Sequence, residues 1–288
     1  MALWRRKSND PAPRLPPDVE PQIRAFIDQL SVPCTWVSVG DQVVEPWASY
    51  LGGHPYWPAG SRWPVIDGEP AAFVCQVNFA EVPRLPGFPS MGLLQWFTGA
   101  DDVAGLTFDD SAGAAGFEVR WFADLGLESE RHPLDAVPAG GDNYLGSPIP
   151  VPPGSAIRFE SGSSIPAWDD LPGDSQQLPL LADLAAAVGR EGQDPAYVYE
   201  EYVRGQSAPD PRVGRQSKVG GYPSFVQEDP RGSGQYPAAD TSAGRLLVEL
   251  DSSQVGGWGD GGIGHLFGDP GALAAGDLSL VRYHWDCS

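Results

Sequence analysis

Alternating apolar and polar positions mark a series of short strands. In Phe73-Val-Cys-Gln-Val-Asn-Phe79 the period of two places Phe73, Cys75, Val77 and Phe79 on one face. Thr35–Val39, Gly92-Leu-Leu-Gln-Trp-Phe97, Phe117-Glu-Val-Arg-Trp-Phe122 and Arg245-Leu-Leu-Val-Glu-Leu-Asp251 read the same way. A helical period appears once near the start. Asp18 is a cap, Pro21 sits in the first turn, and Ile23, Phe26, Ile27 and Leu30 form one stripe that ends at Ser31-Val-Pro33. Two further helices are predicted at Leu180–Val188 and from Asp194 to Gly205, the second burying Val198, Tyr199, Tyr202 and Val203. Tyr50–Pro64 is too dense in Gly and Pro for a regular element, and Gly, Pro and Asp dominate residues 125–179.

Four blocks recur in order. Gly52-Gly-His-Pro55 matches Gly220-Gly-Tyr-Pro223, and Phe73–Asn78 matches Leu246–Asp251. Gly92–Phe97 matches Gly262–Phe267, and Val119-Arg-Trp121 matches Val281-Arg-Tyr283. A duplicated unit of roughly seventy residues would bury only about 60% of its unfolded surface and be marginal alone. The expected fold is therefore α+β and mainly antiparallel β. Two tandem, pseudo-twofold-related repeats (47–124 and 216–288) pack on each other, with an N-terminal helix and a partly helical insert (125–215). Residues 1–17, rich in Pro and charge, read as a flexible tail, and 18–288 as a single domain.

Composition narrows the function classes. The chain of 288 residues carries a formal charge of −20, with 36 Gly and 30 Pro. Such acidity argues against nucleic acid and points to a basic protein partner if it does more than keep the chain soluble. Cys34, Cys75 and Cys287 are too scattered for a disulfide framework or a zinc site. No secretory leader and no apolar run of membrane-spanning length is visible, so a cytoplasmic location is expected. The acidic pairs Asp101-Asp102, Asp109-Asp110 and Asp169-Asp170 lack the spaced register of an EF-hand loop, and no cofactor is expected. No P-loop, GxSxG, HExxH or GxGxxG signature is present. Cys75, matched by Val248, reads as core. His265 and His284, matched by Gln95 and Phe122, read as structural.

Polar residues crowd the second repeat: Gln227, Asp229, Arg231, Asp260, Arg282 and Asp286. One reading makes them turn formers and loop clamps. The other makes them the polar members of an inter-repeat cleft walled by Trp57, Trp63, Trp258 and Trp285. On the second reading the protein is a non-enzymatic binding module with an acidic, tryptophan-bearing groove. The alternative is a small-molecule or carbohydrate-binding protein, or a hydrolase, using the same cleft.

Gly52-Gly-His-Pro-Tyr-Trp-Pro58, Phe73–Asn78, Gly92–Phe97, Val219-Gly-Gly-Tyr-Pro223, Gln227-Glu-Asp-Pro230, Trp258-Gly-Asp260 and the terminal Tyr283–Ser288 together resemble the YwqG-like family from about Trp47 onward. The resemblance implies a bacterial, soluble protein of mixed α and β structure and uncharacterised function. It carries over no catalytic residue. Some members resemble components of toxin–immunity loci, which implies an immunity or regulatory partner.

Overall fold

A computed structural model describes residues 20–42, 45–106, 116–125, 130–131, 153–171 and 217–288, together with residues 179, 186, 199 and 203. They fall into two compact units. One comprises Met1–Ser31 with Ser164–Gly214, the other Val32–Ser163 with Arg215–Ser288.

In the first unit, helix α1 (Glu20–Leu30) buries Ile23 and Ile27 as the stripe predicts. Arg24 pairs with Glu20 one turn earlier on its exposed side. Tyr199 and Val203 are helical and buried, and the Tyr199 hydroxyl donates to the Pro166 carbonyl at 2.9 Å. Ala186 is helical and exposed, and the remaining residues of the two helices expected at 180–188 and 194–205 lie outside the described residues.

The second unit is built on strands β1 (Val32–Gln42), β2 (Tyr50–Leu51), β3 (Tyr56–Trp57), β4 (Val65–Ile66), β5 (Glu69–Pro70), β6 (Ala72–Asn78) and β7 (Leu93–Thr98). These are followed by β8 (Phe117–Phe122), β9 (Glu130–Arg131), β10 (Ser155–Ser164), β11 (Lys218–Val219), β12 (Leu246–Asp251), β13 (Ile263–Phe267) and β14 (Arg282–Asp286). Two short helices, α2 (Ser252–Val255) and α3 (Pro270–Ala274), are capped by Asp251 and Asp269. Among the described residues no helix is long and apolar enough to cross a membrane.

Ten strands form one sheet, in the order β14-β13-β12-β11-β1-β10-β2-β6-β7-β8. The pairs from β14 to β1 and from β10 to β8 along this order are antiparallel. The sheet curls until its ends meet. Leu94 and Trp96 of β7 share a core with Leu266 of β13 and Tyr283 of β14. Phe117 of β8 lies 5.6 Å from the Tyr283 ring. The turn after β7 bridges the gap, its Ala104 and Val103 carbonyls accepting from Tyr283 Oη at 3.0 Å and Trp285 Nε1 at 2.6 Å. Burial on this inner face supplies the main apolar driving force. A second apolar cluster (Tyr50, Trp57, Ile66, Phe73, Phe97) packs on the opposite side of β6 and β7.

Three features differ from expectation. Phe73 does not share a face with Cys75, because a β-bulge between them turns Phe73 into the second cluster. Tyr50–Pro64 is not wholly irregular: Tyr50 and Leu51 form β2, and the positive φ of Gly52 (59°) and Gly53 (77°) then turns the chain away. The span 125–179 contains β10, ten residues long and central to the sheet.

Candidate functional site

Strand register sets up two rows of side chains on the outer face. In the second half Lys218 pairs with Glu249, Glu249 with His265, and His265 with His284, one residue from each of four adjacent strands. In the first half the same ladder positions hold Tyr50, Gln76, Gln95 and Arg120. The ladder thus sets His284 opposite Arg120 in this comparison, two places from the sequence match with Phe122.

Each row is covered by the loop that follows a double glycine. In the first half the Tyr56 amide donates to Gln76 Oε1 at 2.8 Å, and Gln95 Nε2 donates to the Tyr56 carbonyl at 2.7 Å. In the second half the Ser224 amide donates to Glu249 Oε2 at 2.8 Å, and His265 Nε2 lies 2.8 Å from the Ser224 carbonyl. A carbonyl only accepts, so Nε2 is the donor of this contact, with Nδ1 on the other side of the ring. That buried Nδ1 has no hydrogen-bond partner, and neither has His284 Nε2.

The second row is charged where the first is neutral over Tyr50, Gln76 and Gln95. Lys218 and Glu249 form an ion pair with side chains 1% and 0% exposed, and Lys218 Nζ also reaches Ser224 Oγ at 3.3 Å. Burial raises the Glu249 carboxyl, but the Lys218 charge and the His265 contact outweigh it and hold it below the usual carboxylate range. His284 is pushed down to about 3, by burial first and by His265 second, against the pull of Asp229.

Most of the polar residues singled out from the sequence hold the loop over this row. Asp286 Oδ2 accepts from the Val226 and Gln227 amides, both at 2.7 Å, and Gln227 Nε2 donates to the Cys287 carbonyl. Asp229 and Arg231 form a fork with contacts of 2.6–3.0 Å, and the guanidinium lies 5.7 Å from both the Phe225 and Phe267 rings. Arg282 donates to the Gln235 carbonyl at 3.1 Å and the Ser279 carbonyl at 2.9 Å, not to Asp286. The backbone carbonyl of Asp260 accepts from Ser288, while its residue is exposed.

The four tryptophans do not wall one cleft. Trp57 and Trp63 stack at 5.2 Å in the second cluster, with indole nitrogens donating to Ser61 and Ala71 carbonyls. Trp258 is 3% exposed, stacks on Trp96 at 5.4 Å in the main core, and has Trp285 beside it. Their size fills the core of a chain otherwise rich in Gly and Pro.

A concavity of about 580 Å³ opens elsewhere, lined by Asp41 and Gln42 of β1, Ala48 and Ser49, Glu81, and Ala156–Phe159 of β10. Trp47, next to the lining residue Ala48, is 45% exposed. Arg158 is the cation of this lining and approaches Asp41 to 3.7 Å, both side chains largely in solvent. Glu81 Oε2 accepts from the Ser49 amide at 2.9 Å. Neither Asp41 nor Glu81 was singled out from the sequence, since they meet only through the neighbouring strands β1, β10, β2 and β6. Among the described residues no group of three or more His, Cys, Asp or Glu is arranged to hold a metal ion.

A family model described as a domain of unknown function (DUF1963) matches residues 49–287, most of the chain. A search of curated proteins returned no match.

Proposed function

We propose, for a chain that belongs to the DUF1963 family of domains of unknown function, that it is a protein-binding module whose groove between β1, β2 and β10 receives a basic segment of a partner. The finer family reading, YwqG-like, and with it a regulatory or immunity role, rests on the motifs described above.

Duplication supports this role. Strand order runs outward from β1 and β10 through β11 and β2, β12 and β6, β13 and β7, to β14 and β8. Both halves bulge at the same place, between Phe73 and Cys75 and between Leu246 and Val248. Asn78 and Asp251 each donate an amide to a serine hydroxyl (Ser49 and Ser217), at 2.8 and 2.9 Å. Each then accepts from the amide two residues on. These shared details support two copies of one unit.

The observation that carries the function is Glu81. Its equivalent is Gln254, which also stands three residues beyond its strand and also accepts from the serine amide, that of Ser217. That cap needs an oxygen, not a charge. Glu81 is exposed and lines the groove together with Asp41, so its charge is available to a cationic side chain, with the exposed indole of Trp47, next in sequence to the lining residue Ala48, as an apolar and cation-attracting edge.

Glu81→Gln tests this directly, because the variant retains the cap that Gln254 demonstrates. Basic proteins captured from the native host, and a synthetic lysine- and arginine-rich peptide, would be compared on wild type, Glu81→Gln and Asp41→Asn at low and high salt. Binding that weakens at least several-fold in both variants with unchanged melting, and that associates faster at low salt, supports the reading. Equal binding by all three proteins, or salt-independent binding, sinks it.

A further inference from the structure

The charged row under the second loop has no counterpart in what the fold requires, since neutral Gln76 and Gln95 hold the first loop by the same pair of backbone hydrogen bonds. We propose that Tyr222–Tyr236 is an acid-released strap, latched on the β12–β13–β14 face at neutral pH and freed on mild acidification, while the first-half loop His54–Trp63 stays closed.

His284 is the sensor. Its ring is sandwiched by the strap and the neighbouring strand: Phe225 at 6.4 Å and Tyr236 at 5.6 Å, both edge-on, and His265 at 6.0 Å, stacked. The charged groups facing it are already engaged. Glu249 is committed to Lys218, Asp229 to Arg231, and Asp286 Oδ2 to two strap amides. Arg282, on the same strand, donates to carbonyls. A proton added to His284 would therefore create an imidazolium with two cations, Lys218 and Arg231, in the same network and no anion of its own. The strap can lift as a unit, because its ties are a few side-chain contacts and not a strand ladder. Once lifted, it leaves His284 in water.

The sign follows from linkage. The closed strap holds His284 down from the ordinary 6.5 to about 3, so between those values the open form binds the extra proton. Closure is fully favoured above the upper value and is lost as pH falls through the window, at about tenfold per unit. Between pH 7 and pH 5 the opening equilibrium rises about 25-fold. Glu249, held ionised by Lys218 and His265, adds to release only below the ordinary carboxylate range. In the first half the matching ladder position is Arg120, not a histidine.

Hydrogen exchange by mass spectrometry at pH 7 and pH 5, corrected for intrinsic rates, reads both segments in one molecule. The expected result is a 10- to 30-fold rise in opening for residues 222–236, a change below about threefold for residues 54–63, and a flat response of 222–236 in His284→Gln. Equal responses of the two segments overturn the proposal, as does an unaltered response in His284→Gln. A second measurement needs no variant: the imidazole NMR titration of His284 in the wild-type protein. A midpoint at the ordinary histidine value with the strap still protected overturns it equally.

Discussion

Truncation of Trp258 separates a packing role from a binding role. The indole is 3% exposed, stacks on Trp96, touches Tyr283 and Trp285, and lies across Gly264, where an added Cβ would come within 2.4 Å of the ring. Burying an indole removes roughly 150–250 Å² from water, worth about 4–6 kcal/mol at ~25 cal/mol per Å². Against this, its Nε1 is buried without an acceptor, a cost of about 1–3 kcal/mol that truncation relieves. Trp258→Ala should thus lose about 3 kcal/mol, the lower edge of the usual range for such cores. The backbone adds a finer test. Trp258 has φ of 54°, in the left-handed region, so Trp258→Gly should be about 1 kcal/mol less damaging than Trp258→Ala despite leaving the larger void. Urea unfolding, monitored by circular dichroism, gives both differences from shifts in midpoint at constant slope. A loss below about 1 kcal/mol for the alanine variant would refute the core placement. A glycine variant no better than the alanine one would refute the left-handed backbone.

Two more substitutions probe the buried groups. Cys75 is 2% exposed and burial drives its thiol upward, out of the range in which it ionises; Cys75→Asp should leave the protein insoluble while Cys75→Val melts within a few degrees of wild type, and a soluble, normally melting aspartate variant would contradict the strand register. Lys218→Met leaves Glu249 charged and unpaired and should cost about 3–5 kcal/mol in urea unfolding. Adding Glu249→Gln, the residue the first half carries, should recover most of that loss, and a double variant as unstable as the single one would show that the pair is not the coupled unit described.

Much of the β framework was legible because strands such as β6, β8 and β12 show their period in the residues themselves. The failures have local causes. In Ser155–Ser164 only Ile157 and Phe159 alternate before small polar residues take over, so a strand supported by its neighbours in the sheet carried little signal of its own. The bulge at Phe73 inserts a residue that a strict period of two cannot accommodate. Read as copies, the two halves set Trp121 level with Trp285, opposite Leu94 and Gly264 respectively, two places from the alignment on the shared Val-Arg pair. A slip of two keeps every side chain on its face, so alternation could not expose it. The charged row was legible only in fragments. Glu249 is the one charged residue between Leu246 and Leu250, and His265 looked isolated, because four residues distant in sequence meet only once register is known.

The two halves, read as copies, exchange charge in opposite senses at equivalent places. At one position the first half has Gln76 and the second Glu249; at another the first has Glu81 and the second Gln254. In each case the backbone amide being capped is the same and the accepting atom is an oxygen. The hydrogen-bond skeleton is therefore indifferent to which member is ionised, but desolvation is not: a buried carboxylate needs a counter-charge, whereas an exposed one does not. Glu249 is buried and has Lys218; Glu81 is exposed and stays open to solvent. The fold thus accounts for the oxygen at each site and for the lysine at 218 once 249 is ionised. It does not account for the charges themselves. On this reading one carboxylate faces outward, where a cationic partner can reach it, and the other sits beside a histidine under a strap, where a proton can. The halves should then separate in experiment, with salt acting on the first and acid on the second.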